Sequence, residues 1–400
     1  MFEYEFSPLY CHDNGAPAKP IRLMVGLLIL KHVRDLSDES VVEQWSENIY
    51  YQYFCGMQDF IAQCPCASSE LVHFRHRIGE TGIELILKES IRINGKDGEE
   101  RNLSADTTVQ EKNITYPTDN KLHRKIISKC KKIAQREGIE LRRSYTRTLK
   151  KLLPDQRFGR HPKNRKKAVK ANRKVKTIAG RLVREVERKL PAGHPYSSEL
   201  TVFKKVLEQT RTSNHKIYSL HEPQVQCISK GKEHKKYEFG NKVSILYTQH
   251  TGVIVGALSF SNPYDGHTLD EALRQYERLL GKSPLSLTAD RGYKGKSTIR
   301  GTTIQIPKPF SKRVSRYQQQ KLKKAHKRRA AIEPIIGHLK SDHRLSRNFY
   351  KGGFGDTVNA MLAAAGFNFK RMINKYKQKI ACFFCKIQAA FFILELKMTF

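Results

Sequence analysis

The chain has 400 residues, 39% of them apolar, which is enough to bury substantial cores in two or three structural units and excludes a disordered or low-complexity protein. Its 74 Lys and Arg against 38 Asp and Glu give a formal charge of +36, a self-repulsion that calls for a polyanionic partner, nucleic acid first. Its eight cysteines form neither a disulfide framework nor a zinc set, which suits a reducing, cytoplasmic interior, and residues 23 to 30 and 380 to 396 are too short or too charged to span a bilayer.

In chain order, residues 1 to 19 read as an irregular leader punctuated by proline and glycine. Pro20 suits the first turn of a helix over IRLMVGLLILKHV, and Ser37 caps a second that stops at Gly56. Ser68 or Ser69 caps ELVHFRHRIG, and GIELILKESI makes a fourth helix, so residues 1 to 98 are expected to form a small helical domain. It is acidic, with 9 basic and 16 acidic residues in the first hundred, and its Arg75-His76-Arg77 run fits a DNA contact or solvated surface equally well. Residues 101 to 111, RNLSADTTVQE, alternate as a strand that projects Asp106, an unusual residue there unless it sits at an edge, in a turn or in a site.

Residues 118 to 220 read as a basic helical insertion between two β segments. Residues 121 to 190 alone carry 26 basic and 5 acidic residues, a net of +21, which phosphate contact explains better than a solvated face. Residues 237 to 260 form a hairpin turning near 250 to 252. Thr268 and Glu271 read as a capping box for LDEALRQYERLL, closed by Gly281. PLSLTAD is a strand that ends on Asp290 before the turn RGYKG, and TTIQIP is another. A loop with nine Lys or Arg between 311 and 329 then leads to RRAAIEPIIGHLK. On one continuous helix, Arg329, Glu333 and Lys340 share a stripe beside an apolar one, placing a carboxylate between two cations. Taken alone, that segment also fits an ordinary amphipathic helix with exposed ion pairs.

Two aspartates on strands of one sheet and a glutamate on a helix packed against it can converge on a pair of divalent cations. Carboxylate oxygens suit Mg²⁺ or Mn²⁺, and two such ions activate the attacking oxygen and stabilise the leaving one in an in-line phosphoryl transfer. With the basic surface, this means cleavage or joining of nucleic acid strands.

The segments SADTTVQEKNITYPTD, HEPQVQCISKGKEHKKYEFGNKVSI, NPYDGHTL, TADRGYKG and RRAAIEPIIGHLKSDHRLSRN, together with the helical segment from Pro20 to Gly56, resemble the DDE transposases of prokaryotic insertion sequences, in particular the IS5 family, from about residue 8 to 374. The resemblance implies an α/β, RNase H-like catalytic core, a mixed sheet with flanking helices, preceded by the helical domain of residues 1 to 98 and interrupted by the insertion. The core would comprise 99 to 117 and 221 to 375, with 376 to 400 an apolar tail. It implies a catalytic and metal-binding triad of Asp106, Asp290 and Glu333 holding two Mg²⁺ or Mn²⁺ ions, and phosphate contacts from Arg329, Lys340, Arg291 and Lys294. The tyrosine, arginine, glutamate and lysine signature of that family is met at Arg329, Glu333 and Lys340, with His326 at the tyrosine position. Its implied partners are double-stranded DNA, as terminal inverted repeats and as target, and a second copy of the chain on that DNA, near the nucleoid. No covalent protein intermediate is implied. The competing readings are a DNA-binding protein on a transposase scaffold and a nuclease without strand transfer; flanking inverted repeats would separate them from a transposase.

Overall fold

The structure, a computed structural model, describes all residues except 12, 14, 16, 158, 160, 192, 211, 230–235, 307–314, 399 and 400, and leaves out the side chains of 321, 322, 325, 326 and 383–398. The helices are α1 (Phe2–Phe6), α2 (Ile21–Val33), α3 (Asp38–Glu47), α4 (Ile49–Phe54), α5 (Ser68–Arg92), α6 (Asp119–Arg136), α7 (Thr146–Gln156), α8 (Pro162–Lys189), α9 (Ser197–Glu208), α10 (Leu269–Leu280), α11 (Arg316–Arg329), α12 (Ile332–Asp342) and α13 (Gly352–Met398). The strands are β1 (Asn102–Lys112), β2 (Gln226–Ser229), β3 (Tyr237–Thr248), β4 (Ile254–Phe260), β5 (Ser286–Thr288), β6 (Thr298–Ile299), β7 (Thr302–Gln305) and β8 (Arg347–Asn348). They fall into two units, one of residues 1–111 and 241–400, the other of residues 112–240.

The first unit is a mixed α/β structure. Its strands run in the order β4-β3-β1-β5-β7-β6, with β8 pairing on β1. The β1–β5 and β5–β7 pairs are parallel, and β3–β4 and β6–β7 are antiparallel. β1 is buried on both faces except at Asn102, Asp106 and Glu111, which are partly exposed, as suits a strand in the middle of a covered sheet. The hairpin of β3 and β4 forms as the alternation predicts. Helix α2 is apolar on every side, and all residues from Leu23 to Val33 are buried, because it runs through the middle of the unit. Gly366 on α13 lets that helix approach α2 closely, since a Cβ there would lie 3.0 Å from His32 backbone atoms. Asn368 closes the free edge of β4: its Oδ1 accepts from the Ile254 N–H at 2.9 Å and its amide donates to the Ile254 carbonyl at 2.8 Å, as a further strand would.

Several local expectations need correction. Ser37 caps α3 through Ser40 N–H, as read from the sequence, but Thr268 makes no side-chain cap and donates instead to the Asp265 carbonyl at 2.8 Å. The break between the expected third and fourth helices does occur, at Gly79 within α5, whose φ of 62° interrupts the helix. Arg75 is not an exposed basic group: it is buried and forks onto Asp38 with two bonds of 2.8 Å, while Lys31 donates to the same carboxylate at 2.7 Å. Both cations lie over the Tyr350 ring, each 4.5 Å from its centroid. Burial alone would raise the Asp38 carboxyl, but Arg75 and Lys31 hold it down to about 2. The basic stretch before Glu333 is helical from Arg316, and its earlier residues 311 to 314 lie outside the described ones. Helix α13 carries the chain through the apolar tail to Met398. Among the described residues no helix is long and apolar enough to cross a membrane.

The second unit is built on helices α6 to α9. Val175, Ile178, Ala179, Leu182 and Val186 recur at helical spacing on α8 and are buried in a core that includes Ile126, Cys130 and Phe203. The opposite face of α8 exposes Lys166, Lys167, Lys170 and Lys174. At the end of the unit, β2 pairs antiparallel with the first four residues of β3.

Candidate active site

Parallel pairing of β1 and β5 sets Ser104 against Thr288, so Asp106, midway along β1, and Asp290, just past the carboxyl end of β5, each stand two residues beyond the same rung. The strand itself stops at Thr288; Asp290 is the cap of the following turn, its Oδ1 accepting from Gly292 N–H at 2.8 Å. Asp106 accepts the Thr107 N–H at 2.8 Å on one oxygen and Arg329 Nη1 at 3.3 Å on the other. Both members of that ion pair are about a fifth exposed, 22% for Asp106 and 23% for Arg329.

A third carboxylate, Asp265, joins the two from the segment before α10. The Thr107 hydroxyl donates to its Oδ1 at 3.1 Å and Lys242 Nζ at 3.0 Å. Its Oδ2 and the Asp290 Oδ1 lie 3.3 and 2.9 Å from the position a Cβ on Gly292 would take, so the missing side chain leaves the cradle between the two carboxylates open. Tyr293 is buried beside them. Burial, then the charges of Asp106, Asp265 and Asp290, push its phenol well above its ordinary range, a mark of concentrated negative potential. Asp265 is missing from the sequence-derived site, although it lies within NPYDGHTL; no spacing rule connects it to Asp106, and only the folded sheet does.

Glu333 is placed differently from the expectation. The chain does not run as one helix from Arg329 to Lys340: α11 ends at Arg329, Ala330 and Ala331 form a turn, and α12 starts at Ile332. Pro334 is the cause, because it has no N–H for the Ala330 carbonyl and its ring would crowd that group in a continuous helix, whereas it fits the first turn of a new one. Glu333 therefore sits in the first turn of α12, exposed, while Ile332, Ile335 and Leu339 bury the other side of the helix. Arg329 faces the aspartates instead of sharing a stripe with Glu333. It is fixed there because Tyr247 Oη, from β3, donates to its carbonyl at 3.0 Å, and because neighbouring Arg328 bonds to His250 in the hairpin turn.

Among the other expected residues, Arg291 and Lys294 are exposed on the turn after Asp290, and Lys340 is partly buried in the last turn of α12. The side chain of His326 lies outside the described ones. Among the described residues, no group of three or more His, Cys, Asp or Glu side chains is closed around a metal position. The donor chemistry nonetheless fits a hard divalent cation: carboxylate oxygens from the middle of β1 and from the turn after β5, a glycine cradle with no side chain in it, and a guanidinium that already takes a positive charge to Asp106.

Residues 1–77 match the family model described as a transposase domain (DUF772), and residues 214–369 match the transposase DDE domain. An uncharacterized protein from Rhizobium meliloti, ORF8 in the nfe locus, is 46% identical over 155 residues, which are 38% of this chain and 74% of the relative. No solved structure matches the chain.

Proposed function

Since the chain belongs to the transposases that carry a DDE domain, we propose that it is the transposase of an IS5-type insertion sequence, binding the terminal inverted repeats of its element, cutting there and joining the freed end to target DNA. The observation that supports this reading best is the pairing of Ser104 with Thr288, which leaves Asp106 and Asp290 each two residues further along neighbouring chain segments, with Arg329 held against Asp106. The order β4-β3-β1-β5-β7 agrees with an RNase H-like core. Transposases of the DDE type use divalent metal ions. Asp106, Asp290 and Glu333 would hold two Mg²⁺ or Mn²⁺ ions here, and such ions supply Lewis acidity and lower the pKa of a bound nucleophile.

The chain's own residues provide the rest. Arg329 neutralises Asp106 in the free protein and is placed to pass to a phosphate when DNA arrives; Arg291 and Lys294 add exposed cations on the turn after Asp290, and Lys340, in the last turn of α12, would contact a phosphate further along the strand. Closing the site requires the first turn of α12 to bring Glu333 toward the aspartates. The nucleophiles are water and then the 3′ hydroxyl of the cut strand, so no serine or tyrosine is assigned. The exposed lysines of α8 give a sequence-independent hold on the DNA backbone. A pair of chains, one for each end of the element, fits a reaction that joins two ends. The complete set of carboxylates favours an active enzyme over a binding protein on the same scaffold.

The test is an assay on DNA carrying the element's ends, with Mg²⁺, for the natural protein and for Asp106→Asn and Asp290→Asn. Cleavage and joined products from the natural protein alone support the proposal. Cleavage without joining would make it a nuclease, and binding without cleavage would make it a DNA-binding protein.

A further inference from the structure

At the far end of α12 from Glu333, the first unit has an open cavity of about 650 Å³ between α3, α5 and the segment after α12. Its size is that of a pocket for a small organic ligand. Its floor is the Tyr350 ring, whose face is covered by Lys31 and Arg75. Its mouth presents two further aromatic faces. Phe349 is 57% exposed, a large apolar ring left in water, with the Arg344 guanidinium 5.6 Å from its centroid. His76 stacks on Phe354 with centroids 4.8 Å apart and planes within 23°.

The charges around the cavity select the ligand further. Lys31 and Arg75 are held by Asp38, and Arg344, whose side chain is 16% exposed, is paired with Asp35 at 3.5 Å, so the cation that an incoming anion meets at the rim is the exposed Lys351. Planar apolar faces flanked by cations suit a molecule with a flat ring and an attached phosphate. With Arg344 just beyond an 11-residue helix that begins beside Glu333, the cavity stands roughly 16 Å along α12 from that carboxylate, by the helical rise.

We propose that this cavity receives one unpaired nucleotide of the DNA strand, its base stacked at Phe349 and His76 and its phosphate on Lys351. The proposal rests on DNA being the partner, and not on cleavage. Stacking of this kind tolerates any base, so the cavity adds hold on an opened strand rather than sequence choice.

The experiment uses the full chain and two fluorescein-labelled probes of equal length, a single-stranded oligothymidylate and the same backbone with abasic sites in place of the bases. Both probes meet the basic surface equally, so the ratio of their affinities isolates base contacts. The expected result is a roughly tenfold preference for the oligothymidylate, lost in Phe349→Ala and reduced in His76→Ala, with abasic binding unchanged by Phe349→Ala. Phe349 is exposed, so its removal leaves the fold intact, which the fluorescence of the buried Trp45 verifies. No preference in the natural protein, or a preference that Phe349→Ala leaves intact, overturns the proposal. Loss of end cleavage with the preference retained would instead overturn the transposase reading alone.

Discussion

Gly292 decides whether two carboxylates can face a common point. Any side chain there begins 2.9 Å from Asp290 Oδ1 and 3.3 Å from Asp265 Oδ2, so Gly292→Ala must move one of them. It is expected to lower end cleavage by tenfold or more while shifting the unfolding midpoint by only a few degrees. Cleavage kept at the natural rate would show that these carboxylates take no part. Asp106 and Asp290 are legible in the sequence because an aspartate in or just after a strand contradicts the strand's own preferences, and that conflict is a local signal. Asp265 has no such conflict: it looks like a turn residue until Thr107 and Lys242 are seen to hold it.

Elements are joined by Asp38, which ties α3 to Lys31 of α2 and Arg75 of α5. Asp38→Asn leaves two buried cations without their counter-ion, and is expected to destabilise the protein by about 3–5 kcal/mol in denaturant unfolding followed at Trp45. The pH dependence has a definite sign. The folded carboxyl is depressed to about 2, so its contribution is complete above roughly pH 4 and is lost as pH falls toward 2. About 2 kcal/mol of stability should disappear across that window in the natural protein and be missing from the variant's acid profile. The same residues show where pattern reading fails. Arg75 stands in a basic run that reads as surface, and only the return of α5 against α3 buries it. The break before α12 is legible in principle, since Pro334 is in plain view, but the i, i+4 spacing of Arg329 and Glu333 suggests a continuity that the proline forbids.

At the scale of the molecule, charge and core are segregated along the chain: residues 1 to 100 are acidic on balance, and residues 121 to 190 carry a net of +21. The exposed Lys166, Lys167, Lys170 and Lys174 of α8 lie opposite its buried stripe, so changing them to Gln should leave stability within about 0.5 kcal/mol. Binding to any duplex should weaken, and the slope of log affinity against log salt should fall by about one for each phosphate that the variant no longer neutralises. An unchanged slope would remove this face from the DNA interface. Helices in residues 1 to 98 can be read from periodicity and caps, but their burial with α13 joins residues more than 250 apart, and no local pattern encodes that. The central claim is that a helix-borne glutamate closes a carboxylate site on the sheet. It is tested most directly by comparing the natural protein with Glu333→Gln for Mg²⁺-dependent cleavage of DNA carrying the element's ends, with end binding measured in parallel. Equal binding and a loss of cleavage by at least a thousandfold is the predicted result, whereas cleavage by Glu333→Gln at the natural rate would contradict it.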